Sequence, residues 1–189
     1  MKKIALTGSI AMGKTFIANI FKQFSVAVYD SDLAVKEIFE QQPELIAKLF
    51  PECYVDGKID KNILSQIIFN DPQKRKKLES ILHPLVAKKR EIFIRREKYK
   101  RTKILVCDIA LLFEKNYQRY FDQVVVASAP KFMQNKRAMA RKFMTQDRLS
   151  SILKLQMPDH KKRIKADKVV YTGGNRGSVY RQIKSLLYS

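Results

Sequence analysis

The chain has little cysteine, little histidine and a shortage of acid. Its two cysteines, Cys53 and Cys107, make no metal-binding spacing, and fit reduced thiols in a cytoplasmic protein rather than a disulfide scaffold. Cys107 stands in the apolar run ILVCD, where a buried structural role is expected. The two histidines, His83 and His160, supply neither a Ser-His-Asp triad nor a zinc constellation. No apolar run reaches the ~18 residues of a membrane span. The opening MKKIALTGSIAMG imitates a secretory signal, but its apolar stretch is short, is broken by Thr7, Gly8 and Ser9, and stops at Lys14; it is not read as targeting. Internal repeats, low-complexity tracts and Pro/Ser-rich linkers are also missing, so one domain with no independent second one is expected over residues 1–189.

Acidic residues number 18 against 38 lysines and arginines, a net charge of +20. Such a field attracts polyanions: nucleic acid, an acidic membrane surface or small polyphosphates. Charge alone does not choose among them, and a lysine-rich surface also arises from a compositional habit of the genome. With 46% hydrophobic and 30% charged residues, the chain has the composition of a globular domain.

Five short runs rich in branched residues read as buried strands: KIALT (3–7), VAVY (26–29), KILVC (103–107), QVVVA (123–127) and KVVY (168–171). Helical patterns lie between them, so the alternation predicts an α/β fold with a parallel sheet covered on both faces. One helix, Lys14 to Phe24, joins the first two strands. Residues 30–102 exceed what a crossover needs and read as a helical insertion, with Pro43, Pro72 and Pro84 each at a helical first turn and a turn pivoting on Asp56-Gly57. Residues 128–167 form a second excess with two helical patterns, PKFMQNKRAMARKF and TQDRLSSILKLQM, before the basic PDHKKRIKAD.

Gly8-Ser9-Ile10-Ala11-Met12-Gly13-Lys14-Thr15 satisfies the pattern G-x-x-x-x-G-K-[ST] between the first strand and a helix, the context a phosphate-binding loop requires. The match arises by chance in roughly one chain of this length per hundred. Backbone N–H groups of the turn and the helix start cradle phosphates, Lys14 reaches the β- and γ-phosphates, and the Thr15 hydroxyl ligates Mg²⁺. Asp108 ends the third strand on the same sheet edge, as a Mg²⁺ partner or as the cap of a following helix. Asp30 and Asp32 follow the second strand: one carboxylate there accepts the proton of an attacking hydroxyl while another orients it, and capping is the competing reading for Asp30. Gln134, Arg137 and Arg141, at i, i+3 and i+7, fall within about 60° on one helix face. That face is either a solvated basic surface or a cover for polyphosphate. His83 borders the long helix.

Taken together, these pieces resemble the dephospho-coenzyme A kinase family. IALTGSIAMGKT is similar to its phosphate loop, YDSD at 29–32 to its D-A-D and HPLV at 83–86 to its H-P-x-V. DIALLFE at 108–114 is similar to D-x-P-L-L-F-E, QNKRAMAR at 134–141 to Q-x-x-R-x-x-x-R, and Gln156 with KADKVV to the closing Q…ADxVI. The resemblance implies a nucleotide-kinase-like P-loop fold with five parallel strands: a core over about 1–29, 103–127 and 168–189, an acceptor-binding insertion over about 30–102 and a lid over about 128–167. It implies transfer of the ATP γ-phosphoryl to the ribose 3′-hydroxyl of dephospho-CoA with Mg²⁺, Asp32 as base, Arg137 and Arg141 as lid residues at the phosphates, and Asp30, Asp32 and His83 on the acceptor. Neither membrane nor nucleic acid is an expected partner, and the chain is expected to be a monomer.

Three departures from the family pattern stand out. Ser9 and Ala11 replace two glycines, so Ala11 either keeps negative φ or accepts strain of about 1–2 kcal/mol. Ala110 replaces a proline, and YTGGNRG at 171–177 replaces a D-N-x-G-like segment. The rival readings are a P-loop kinase for another nucleoside or nucleotide and, from KRKK and RREKYKR, a nucleic-acid-stimulated ATPase whose binding falls steeply with salt.

Overall fold

A computed structural model describes residues 1–188. The chain forms two compact units, one of residues 1–29 and 97–188, the other of residues 30–96.

In the first unit, β1 (Lys2–Thr7), β2 (Ala27–Asp30), β5 (Ile104–Asp108), β6 (Gln123–Ser128) and β7 (Lys168–Tyr171) make a five-stranded sheet in the order β2-β5-β1-β6-β7. The pairings of β1 with β5, β1 with β6 and β6 with β7 are parallel, as the runs of branched apolar residues predict. Central β1 is sealed on both faces, with Ile4, Ala5 and Leu6 wholly inaccessible, which is why it reads as continuous rather than alternating hydrophobicity. Helices α1 (Lys14–Gln23) and α9 (Arg176–Tyr188) cover the sheet through Ile17, Phe21, Val179 and Ile183, in one cluster with Ile4, Leu6, Val106 and Val125.

Helices α6 (Lys131–Met139), α7 (Gln146–Leu155) and α8 (Asp159–Ile164) fill the connection between β6 and β7. The first is shorter than its sequence pattern. The chain leaves it at Ala140 through tight turns, Arg141 N–H to Ala138 O at 3.0 Å and Met144 N–H to Arg141 O at 3.2 Å, with Phe143 at φ 59°. No helix opens at Asp108 either: residues 110–116 are turns, so Asp108 does not cap one.

The second unit holds α2 (Ser31–Gln41), α3 (Pro43–Ala47), the hairpin β3 (Tyr54–Val55) and β4 (Lys58–Ile59), α4 (Lys61–Asn70) and most of α5 (Pro72–Tyr99). Asp56 and Gly57, at φ 48° and 76°, give the hairpin the paired left-handed residues of a two-residue turn. The core here is Ile38, Ile46, Phe50, Cys53, Ile59, Leu64, Leu78 and Leu82. Burial pushes the Cys53 thiol above its ordinary pKa, with Glu52 adding to the rise; both cysteines are free and buried.

Pro43 and Pro72 open α3 and α5 as expected, whereas Pro84 lies inside the single 28-residue α5. A proline there removes one N–H bond to the preceding turn. The helix runs on because Leu78 and Leu82 before Pro84, and Leu85 and Val86 after it, share one apolar cluster. Tertiary burial outweighs the lost bond.

Candidate active site

The loop between β1 and α1 is shaped by close approach. A Cβ on Gly8 would lie 2.7 Å from Ala127 O, and one on Gly13 2.7 Å from Thr172 Oγ1. Gly13 also takes φ 90° as the residue that starts α1. Ala11 sits at φ 61°, so of the two alternatives open in the sequence the chain takes the strained one. Its methyl group is buried against Ala138 and Leu149 of α6 and α7. Strain of about 1–2 kcal/mol is thus offset by a buried methyl worth about 0.8 kcal/mol. Glycine would add about 0.4–1 kcal/mol of unfolded-state freedom. Ala11→Gly is therefore expected to stay within about 1 kcal/mol of the parent in urea denaturation, not to stabilise it by the full strain.

The loop is braced from outside at Ser9, Ile10 and Met12. Ile10 N–H donates to Gln156 Oε1 at 2.8 Å, and Ile10 O accepts from Gln134 Nε2 at 2.9 Å. Ser9 Oγ reaches Met157 O at 3.4 Å, Ala129 N–H contacts Met12 Sδ at 3.2 Å, and Met12 O accepts from Thr172 Oγ1 at 2.8 Å. Braced in this way, the turn holds its conformation ahead of any ligand, which is what anion binding by backbone N–H groups needs.

Lys14, the first residue of α1, forms an ion pair with Asp108 at the carboxyl end of β5, both side chains largely buried. Thr15 follows, exposed. Arg137 turns onto the residue just past β7: its two terminal nitrogens donate to Thr172 Oγ1 at 2.9 Å and Thr172 O at 2.7 Å. Thr172 thereby links Arg137 to the phosphate loop, a role with no signal in its local sequence. Gln134 and Arg137 lie on α6, but exposed Arg141 lies past its end, so the predicted three-residue helix face does not form. A cavity of about 570 Å³ borders the loop at Ser9 and Met12 and continues along Pro130, Gln134, Asp159 and Arg163. None of Lys14, Thr15 and Asp108 lines it.

Asp30, the last residue of β2 and the first of the second unit, caps α2, its Oδ1 accepting from Asp32 N–H at 2.9 Å and Leu33 N–H at 3.0 Å. The capping reading holds for it. Asp32, in the first turn of α2, is exposed. His83 is partly buried on α5, with Nε2 4.0 Å from Glu79 Oε2.

The family model of dephospho-CoA kinase matches residues 2–177. The dephospho-CoA kinase of Bartonella quintana (strain Toulouse) is 41% identical over 189 aligned residues, covering 99% of this chain and 97% of its own. That of Brucella melitensis biotype 1 is 38% identical, covering 97% and 92%. Among solved structures, a Thermus thermophilus protein superposes with a TM-score of 0.82 at 28% identity, covering 99% of this chain and 96% of that one. Dephospho-CoA kinase from Campylobacter jejuni gives 0.69 at 23%, with the same coverage, a likeness of fold. A glycine-framed phosphate loop ending in an ion-paired lysine, a five-stranded parallel sheet and relatives matched from end to end lead to one conclusion: the chain belongs to the dephospho-CoA kinase family.

Proposed function

We propose that this protein transfers the γ-phosphoryl group of ATP to the ribose 3′-hydroxyl of dephospho-CoA, releasing CoA and ADP, the last step of coenzyme A synthesis. The observation that carries the reading is the phosphate loop Gly8–Thr15, held by side chains from four other segments and ending in Lys14 on Asp108, in a chain of this family. Gly8, Ser9, Ile10, Ala11, Met12 and Gly13 supply the backbone of the cradle. Lys14 carries its charge to the β- and γ-phosphates, exchanging one anionic partner for another, so the ammonium is not left unpaired in a desolvated site.

Among the described residues no group of three or more His, Cys, Asp or Glu is placed to hold a metal ion. The Thr15 hydroxyl and the Asp108 carboxylate are instead the sparse donor set of Mg²⁺, which keeps waters and substrate phosphate oxygens as its other ligands. When bound, the ion neutralises charge on the phosphate oxygens. Arg137 and Arg141 stabilise charge on the transferring group, Arg137 by rotating off Thr172. Asp32, two residues beyond the end of β2, accepts the proton of the 3′-hydroxyl; an ordinary carboxylate suffices, because the loose transition state of phosphoryl transfer asks more of position than of basicity. Asp30 and His83 orient the acceptor, Asp30 through the helix start it caps. We further propose that the protein acts as a cytoplasmic monomer; no described helix is long and apolar enough to cross a membrane.

Incubation with ATP, Mg²⁺ and dephospho-CoA is expected to yield a product heavier by one phosphoryl group in mass spectrometry. Product absent while ATP still binds would redirect the search to other acceptors. In the same assay, Asp32→Asn is expected to bind both substrates and to lose about 10²–10⁴ in kcat. Near-normal turnover would remove Asp32 from the chemistry.

A further inference from the structure

Lys162 has no exposed surface at all. It lies on α8, in the basic stretch PDHKKRIKAD. Lysine is almost never fully buried unless paired, and here its Nζ sits 2.9 Å from Glu114 Oε1 and donates to Ala110 O at 2.9 Å. Both partners are built into the phosphate site. Ala110 stands two residues after Asp108, and its carbonyl also accepts from Thr7 Oγ1, the residue before Gly8, at 3.2 Å. Glu114 Oε1 also accepts from Met157 N–H at 2.6 Å. Met157 and Gln156 in turn hold Ser9 and Ile10.

We propose that Lys162 is a positioning residue for phosphate binding, the buried centre of a strut that ties the exit of β5 and the 156–157 connection to the first half of the phosphate loop. The inference rests on the kinase reading of that loop. Two further observations support it. Glu114 Oε2 is buried without a hydrogen-bond partner, so the carboxylate's burial is compensated by the neighbouring Lys162 ammonium. Burial pushes the Lys162 pKa below its ordinary value while Glu114 holds it up; more weakly, the Lys14 ammonium lowers it and the Asp159 carboxylate raises it.

A residue kept only for stability has no need of charge here, because apolar replacement of a buried ion pair is often neutral or stabilising. The test removes both charges in Lys162→Met/Glu114→Gln, which keeps an acceptor for Met157 N–H. Thermal melting, the ATP Kd by calorimetry without acceptor, and the KM values for both substrates are then compared with the parent. The expected result is a melting point near the parent's, an ATP Kd and ATP KM raised between about tenfold and a hundredfold, and a dephospho-CoA KM changed less than twofold. A folded double variant with parental ATP affinity and turnover would overturn the proposal. If that variant does not fold, Glu114→Gln alone decides: its ATP Kd rises if the strut positions the loop, and a change below twofold overturns it. The calorimetric arm needs only nucleotide binding, so it still judges Lys162 if the protein proves to phosphorylate another acceptor.

Discussion

Lys14→Ala is expected to lower ATP-dependent phosphorylation of dephospho-CoA by on the order of 10³ or more, since one preorganised neutral donor is already worth 10²–10³ and this donor is charged. The same change carries a stability cost. Lys14 and Asp108 pair with side chains only 13% and 7% exposed, and removing one partner of a buried pair costs about 3–5 kcal/mol when the other stays charged. The two effects separate in Lys14→Ala/Asp108→Asn. Urea denaturation of this double variant is expected to recover much of the lost stability, while activity stays at or below the Lys14→Ala level, because Asp108 also belongs to the Mg²⁺ donor set. Recovered activity would mean that the pair serves folding alone, and would remove both residues from the chemistry.

The second large effect belongs to Gly13→Ala, expected to cost about 3–5 kcal/mol. The left-handed backbone accounts for about 1–2 kcal/mol. The remainder is collision: the new methyl would sit 2.7 Å from Thr172 Oγ1 and 3.0 Å from its Cβ and Cγ2. Thr172 cannot retreat without breaking its bonds to Met12 O and Arg137, each buried loss worth about 1–3 kcal/mol. ATP binding is expected to fall with it, because Met12 and Arg137 are displaced together. Gly57→Ala is the control. Its φ is also left-handed, at 76°, but nothing lies within 4 Å of the added methyl, so only the backbone cost of about 1–2 kcal/mol remains. Equal losses in the two variants would remove the Thr172 contact from the explanation.

Much of the candidate phosphate site was legible because its signals are local. Glycines at 8 and 13, Lys14 and Thr15 lie within one turn and the start of one helix, and Asp108 follows directly from the end of an apolar strand. The helical face of Gln134, Arg137 and Arg141 was only partly legible: spacing assumes a helix that continues, and this one stops at Met139. Pro84 misled in the opposite sense, because an apolar cluster on both sides carries α5 through it. For Asp30 the cap and the substrate contact looked equally plausible, and the hydrogen bonds to Asp32 and Leu33 N–H establish the cap.

The sequence by itself determined the α/β alternation, the phosphate loop and the family, because strand and loop signals depend on neighbours a few residues apart. Tertiary structure alone decided what holds that loop in shape. Lys14 finds Asp108 across 94 residues and Met12 is fastened by Thr172 across 160, while Lys162 is buried among groups that its own basic stretch does not hint at. Ala11 belongs to both levels. Its identity announced a conflict with the turn, and only the packing of its methyl against Ala138 and Leu149 shows how the fold accommodates the strain.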